Sequence, residues 1–326
     1  LKLATSILIT FGGLFALLGL LQFIFPSDHV LWFFIEWPKR TAHHFATYVN
    51  GNHYAGLIGM LLPLALAVTV YRLPRRLYSG WREGVVEFFS NPDTAAFAGF
   101  LAATVVMGAS VFFSLSRGGV LASLAALFSF FLMLALLGIE RRRILLPGFV
   151  LLLILGAVGW VGWEPVFERF ESVRTESGKL NTQRLDYWQD SLESIKAYPL
   201  FGTGAGTFAD AYPRFLTVTT RKLVDHAHND YVEWLFEGGL VGAVLAAWFL
   251  LDVVLRSFRA SRRRGHLFSF YLWLGAMSGL VSILLHSITD FNLQIPANGL
   301  MLSALLALLV AAAPVSYTHL RAHETI

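Results

Sequence analysis

The stretch "VDHAHNDYVEWLFEGGLVG" (Val224 to Gly242) places two histidines, an asparagine, aspartates and two glutamates immediately ahead of the apolar run "LVGAVLAAWFLLDVVL". An imidazole titrates near neutrality and can take a proton from a hydroxyl, so His226 and His228 are candidate general bases. Their His-x-His spacing also occurs in zinc sites, with Asp225, Asp230 or His53 as a third ligand. No His-Glu-x-x-His accompanies it, so proton transfer is the favoured chemistry and no metal is assigned. Arg117, in "FFSLSRGGVLAS", lies between two apolar runs among small residues that allow close approach. An arginine at such depth is costly unless it meets a partner or a substrate; the competing account is a side chain snorkelling to lipid phosphate. Asp290 and Asn292, in "HSITDFNLQIPAN", suit substrate contact and helix capping equally well. His53, in "YVNGNHYAGLIGMLLPL", stands at the entrance of an apolar run, where a lone histidine is commonly an interfacial hydrogen-bonder.

The elements that must hold these groups are apolar helices. The 326-residue chain is 56% hydrophobic and 14% charged, with a mean hydropathy of +0.61, and apolar runs near the roughly 20 residues that cross a bilayer recur along it. The runs are apolar all round, so lipid or neighbouring helices must surround them. Eight spans are expected: Leu3 to Phe25, Tyr54 to Val70, Ala95 to Leu115, Val120 to Ile139, Ile144 to Val161, Trp234 to Leu255, Leu267 to Leu285 and Ala297 to Ala313. Three short connections are basic, at Arg72 to Arg82, Glu140 to Arg143 and Arg256 to Arg264. Two spans separate each from the next, so all three fall on one side, the cytoplasmic side by the positive-inside rule. The excess positive charge thus anchors topology on anionic lipid, and nucleic acid is not an expected partner. There is no cysteine, hence neither disulfide nor thiolate metal site.

The opposite, extracytoplasmic face receives everything else. Residues 1–161 form spans one to five, 162–233 a large loop, and 234–313 spans six to eight. Within the loop, "NTQRLDYWQDSLESIKAYP" (Asn181 to Pro199) carries Leu185, Trp188, Leu192 and Ile195 at helical spacing and stops before a proline, which predicts an amphipathic helix lying on the membrane or the bundle. The glycines of "LFGTGAGTF" (Gly202, Gly204, Gly206) lack the Rossmann spacing and the Lys-Ser/Thr of a P-loop, so a tight connecting turn is preferred to a phosphate cradle. The chain opens inside an apolar run, which suggests further helices upstream; residues 314–326, containing "VSYTHLRAHETI", read as a non-native tail and receive no role.

These segments together resemble the O-antigen ligase and O-antigen polymerase superfamily, which includes bacterial O-oligosaccharyltransferases. "HNDYVEWLFEGGLVG" has the spacing of its signature at His228, Asn229, Gly239 and Gly242, and "NGNHYAG", "SRGG", "RLDYWQDSLESIKAYPLFGTGAGTF" and "HSITDFNLQIPANG" follow the same order between about residues 50 and 300. The resemblance implies an all-α, polytopic, GT-C-like helix bundle in the bacterial inner membrane with its active site facing the periplasm. It implies transfer of a glycan from a polyprenyl-diphosphate carrier to a hydroxyl of lipid A core, another glycan or a protein, without cofactor or metal. By similarity Arg117 and Arg184 hold the diphosphate, His228 is the base, and His226, Asn229, Asp230, His53, Asp290 and Asn292 contact substrate. A flippase of lipid-linked glycans is the alternative class, although such transporters place ionisable residues near mid-membrane. A zinc-dependent membrane hydrolase built on His226 and His228 is a third.

Overall fold

The computed structural model describes residues 1–34, 36, 44–74, 80, 82, 85–86, 90–171, 183–217, 224–261 and 266–312. The chain forms helices α1 (Lys2–Ile24), α2 (Gly51–Arg72), α3 (Pro92–Phe113), α4 (Arg117–Leu136), α5 (Arg141–Val161), α6 (Glu164–Glu171), α7 (Gln183–Ala197), α8 (Asp230–Ser261), α9 (Leu267–His286) and α10 (Pro296–Ala312). Seven of them, α1 to α5, α8 and α9, are long and apolar enough to cross a membrane, and α10 is an eighth apolar helix of 17 residues. Among the described residues there is no β-strand, only isolated bridges. The protein is a polytopic all-α membrane protein. Its helices begin where capping chemistry allows: Asn50, Asn91 and Ser116 accept from the N–H groups of Asn52, Asp93 and Gly119. Arg117 is therefore the first helical residue of α4 rather than part of a loop.

Helix α2 is the axis of the bundle, buried from His53 to Val70 and flanked by α1, α3, α4, α9 and α10. Helix α9 crosses it at backbone contact. A Cβ on Gly275 would lie 2.8 Å from the Pro63 carbonyl oxygen and one on Gly279 would lie 2.6 Å from that of Met60, so the Gly-x-x-x-Gly pair permits the crossing. At the end of the bundle away from the histidines, buried Arg143 donates to the Val70 carbonyl at 3.0 Å and lies over the Tyr271 ring. That arginine closes the end of α2 instead of facing lipid. Parts of the other two basic connections (75–79, 81 and 262–265) fall outside the described residues, as do Asn181, Thr182 and the tail 313–326.

A second, smaller core forms between α7 and the start of α8, from Phe208, Tyr212, Val224, Ala227 and Phe236 with Tyr187 and Ile195 packed on it. Trp188 donates from Nε1 to the Ala227 carbonyl at 2.9 Å, which ties α7 to the histidine segment. Of the apolar stripe expected on α7, Trp188 and Ile195 thus turn inward, while Leu185 and Leu192 stay exposed. The glycine turn beside this core wraps a carboxylate of the chain itself. Gly202, Gly204 and Gly206 all have positive φ, and the N–H groups of Gly206 and Phe208 donate to the Glu237 carboxylate at 2.9 and 3.0 Å. Helix α8 breaks at Gly239 (φ 59°, ψ −163°), where Leu240 and Val241 donate to the carbonyls of Pro199 and Leu200 at 2.9 and 3.0 Å. A side chain at Gly239 would need both a left-handed backbone and space already filled by Gly202 and Leu200, so only glycine fits. Gly242 has open space around it and no such demand.

Candidate functional site

The site assembles where the histidine segment, leading into α8, meets the turn 287–291 that follows α9. Asn229 caps α8, its Oδ1 accepting from the N–H groups of Tyr231 (3.0 Å) and Val232 (3.2 Å). His228 precedes it with φ +51°, a left-handed conformation uncommon for a non-glycine residue and frequent at functional sites. Across the junction, Asp230 accepts the Leu293 N–H at 3.2 Å and donates its own N–H to the Ser287 carbonyl at 2.9 Å. These bonds fix the two segments relative to each other.

Asp290 is the centre of the arrangement and is only 1% exposed. His228 donates from Nδ1 to Asp290 Oδ1 at 3.1 Å, Asn52 donates from Nδ2 to Oδ2 at 2.5 Å, and the Phe291 N–H donates to Oδ1 at 3.0 Å. His53 Nε2 stands 3.7 Å from the same oxygen and Arg184 Nη2 4.0 Å from Oδ2. Burial by itself would raise the Asp290 pKa. The hydrogen bond from His228, the neighbouring His53 imidazole and the charge of Arg184 outweigh it, so the carboxyl is held well below the usual carboxylate range. The carboxylate of Asp290 keeps the Nδ1–H of His228 pointed inward. The Nε2 edge lies on the opposite side of a ring whose side chain is 28% exposed.

His226 is paired separately. Its Nδ1 lies 2.7 Å from Glu233 Oε1, and Glu233, 1% exposed, also accepts the Ala227 N–H at 2.9 Å. Burial lowers the His226 pKa, but the hydrogen bond and charge of Glu233 more than compensate, and the imidazole ends above its ordinary value. The Phe291 ring separates the two pairs: His226 stacks on it at 4.0 Å and 15°, while His228 and His53 meet it edge-on at 4.9 and 4.5 Å. His226 and His228 are thus committed through Nδ1 to different carboxylates, and among the described residues no group of three His, Asp or Glu side chains is arranged to hold a metal.

Arginines border this network. Arg184, in the first turn of α7, donates to the Thr289 carbonyl. Arg117 donates from Nη1 to the Arg169 carbonyl at 3.4 Å, and Arg169 from Nε to the Leu115 carbonyl at 3.2 Å. The structure therefore brings together Arg117, Arg184, His53, His226, His228 and Asp290. Asn229, Asp230 and Asn292 are differently placed: all are buried and engaged in holding backbone or, for Asn292, the Asn298 amide at 3.1 Å. Asn229 and Asp230 thus brace the junction, while the buried Nδ2 of Asn292 has no hydrogen-bond partner among the described residues. Asn52, Glu233, Phe291 and Arg169 were not singled out by spacing. Glu233 lies within the polar stretch that contains both histidines, and Asn52 and Phe291 lie within the quoted segments "NGNHYAG" and "HSITDFNLQIPANG", whereas nothing around Arg169 marks it out.

These features define a polytopic membrane protein whose ionisable groups converge at one end of the helix bundle. Residues 102–247 match the family model described as O-antigen ligase, a stretch that holds Arg117, Arg184, His226 and His228 and ends beyond the α8 break. The match supports the chain's place in the O-antigen ligase and polymerase superfamily, whose general activity is O-antigen ligase-type glycosyl transfer. Among curated proteins, nothing matches the chain.

Proposed function

We propose that this end of the bundle transfers a glycan from a polyprenyl-diphosphate carrier to a hydroxyl of lipid A core, of another glycan or of a protein, on the periplasmic face of the bacterial inner membrane. The observation that carries the reading is the His228–Asp290 pair beside Arg117 and Arg184. With Nδ1–H directed at Asp290, the neutral imidazole presents an unprotonated Nε2, which takes the proton of the acceptor hydroxyl as its oxygen attacks the anomeric carbon. The anomeric C–O bond to phosphate breaks and the polyprenyl diphosphate leaves with the electron pair. Arginine's planar fork suits the phosphate oxygens on which that charge collects. The basic Glu140 to Arg143 connection at the opposite end agrees with a periplasmic site under the positive-inside rule. Ionisable groups gathered at helix ends, rather than along the helix centres, favour this over a flippase.

The test is transfer by the full-length protein in liposomes supplied with a polyprenyl-diphosphate glycan and each acceptor class in turn. Joined glycan and released polyprenyl diphosphate are the expected products. Failure with every acceptor, while the carrier is translocated across the bilayer, would replace the reading with the transporter.

A further inference from the structure

Helix α8 is broken at a depth where a break is costly. Gly239 divides it into Asp230 to Gly238 and a membrane-crossing part that starts at Leu240, whose first charged residues are Asp252 and Arg256, paired at 2.7 Å. At about 1.5 Å per residue, the uncharged run from Leu240 to Leu251 covers about 18 Å, and the run to Leu255 about 24 Å, against a hydrocarbon core of about 30 Å. Tilt only shortens the projection. On that measure Leu240 lies inside the hydrocarbon at the histidine end of the bundle, and apolar surface from elsewhere in the chain must supply the missing height.

The turn Tyr198 to Gly202 is at that level. In an unbroken helix Leu240 and Val241 would donate to the carbonyls of Phe236 and Glu237. Here the turn takes both sides of those two rungs: Leu240 and Val241 donate to Pro199 and Leu200 at 2.9 and 3.0 Å, and the N–H groups of Thr203 and Gly204 donate to Phe236 and Glu237 at 3.0 and 2.9 Å. The groups freed by the break are thus satisfied by protein, which is the condition under which irregular backbone is tolerated at membrane depth. The side chains of the turn face the other way. Phe201 is 72% exposed and Leu200 56%, with Tyr198 exposed beside them. Tyr231 and Trp234, exposed and one turn apart on the first part of α8, have the amphipathic rings that settle where lipid meets water.

We propose that the turn Tyr198 to Gly202 is a membrane-embedded tip whose partner is the acyl chains of the leaflet at the histidine end, with Leu200 and Phe201 completing the apolar height that α8 lacks. The turn can enter lipid without burying charge, since Lys196 is the last charged residue before it and Asp210 the first after it. Its backbone bonds to α8 make it a rigid continuation of the crossing helix. The small core of Phe208, Tyr212 and Phe236 is thereby carried at the lipid surface, and with it the histidine segment that Trp188 ties to α7. This holds whichever reaction the site performs.

The chain has no cysteine, so a nitroxide can be attached at one introduced position at a time. The experiment compares Phe201→Cys with Phe249→Cys, on the exposed face of the crossing part of α8, and with Glu193→Cys, at an exposed ion pair on α7, each labelled in the protein in lipid nanodiscs. Collisions of the label with oxygen, which concentrates in hydrocarbon, and with a water-soluble nickel chelate are read by electron paramagnetic resonance. The ratio of oxygen to nickel collisions at 201 should match that at 249 and exceed that at 193 severalfold. A ratio at 201 equal to that at 193 would overturn the proposal: the turn would then stand in water and the bilayer would thin to fit α8. Few collisions with either reagent would overturn it as well, by showing that protein, such as a second copy of this chain, covers the turn. Leu200→Cys carries the same test should Phe201→Cys fail to fold.

Discussion

Two places in this chain offer what an anion needs, and they are in opposite states. The glycine turn at Gly202 to Phe208 presents backbone N–H groups in the geometry of a phosphate cradle, yet the Glu237 carboxylate fills it. The arginines bordering the histidines are placed otherwise: Arg184 lies 4.0 Å from Asp290, a carboxylate that His228 and Asn52 already bond, and Arg117 and Arg169 donate to the backbone carbonyls of Arg169 and Leu115. The first has spent its capacity on the fold, since it holds the small core against the break in α8. In the second, Arg117 and the Nε of Arg169 donate to backbone carbonyls, which accept hydrogen bonds without neutralising charge, whereas in the first a carboxylate of the chain takes the anion's place.

That contrast can be broken from either side. Asp290→Asn removes the charge that orients His228 and balances Arg184, and transfer should fall by about 10² in a reconstituted assay while helical content is retained. Normal transfer would dissociate Asp290 from the chemistry. Arg117→Lys keeps the charge and loses the fork, so transfer should drop by about tenfold or more; near-parental activity would return Arg117 to a lipid-snorkelling role. Glu237→Ala leaves two buried N–H groups without their acceptor and should lower thermal stability by roughly 1–3 kcal/mol. The molecules that remain folded should bind carrier as the parent does, and loss of carrier binding at full stability would make the glycine turn part of the site after all.

Glu233→Gln is the mildest change. Glu233 raises the His226 pKa against the opposing effect of burial, so the stability this pair contributes is fully present below the ordinary histidine pKa and fades as pH rises through the raised folded value. With glutamine in place, the His226 titration followed by ring-proton NMR should move to lower pH. An unmoved titration would mean the charge is not what holds His226.

The histidine segment was legible because its polar residues stand out against an apolar background, and Arg117 was legible for the same reason. The His228–Asp290 pairing was not, since 62 residues separate the partners and only the meeting of α8 with the turn after α9 joins them. Arg169 was hidden in "EPVFERFE", where an arginine among glutamates looks like an ordinary solvated face. The number of spans could be counted from composition, but not which of them is central: α1 and α2 are both strongly apolar, and burial separates them only once α9 has crossed α2 at Gly275 and Gly279. Gly239 and Gly242 illustrate the same limit. Both fill the signature, yet the backbone of Leu200 and Gly202 demands glycine at the first and nothing in the structure demands it at the second.

The claim at the centre of the account is that His228, poised by Asp290, accepts the proton of the acceptor hydroxyl. The most direct measurement is the single-turnover transfer rate of His228→Ala in liposomes at saturating polyprenyl-diphosphate glycan, alongside its affinity for the sugar-free carrier. A positioned base typically contributes about 10² to 10⁴ in rate, so the rate should fall by that order while carrier affinity stays within about threefold of the parent. A rate within about threefold of the parent would contradict the claim and leave His228 as a structural partner of Asp290.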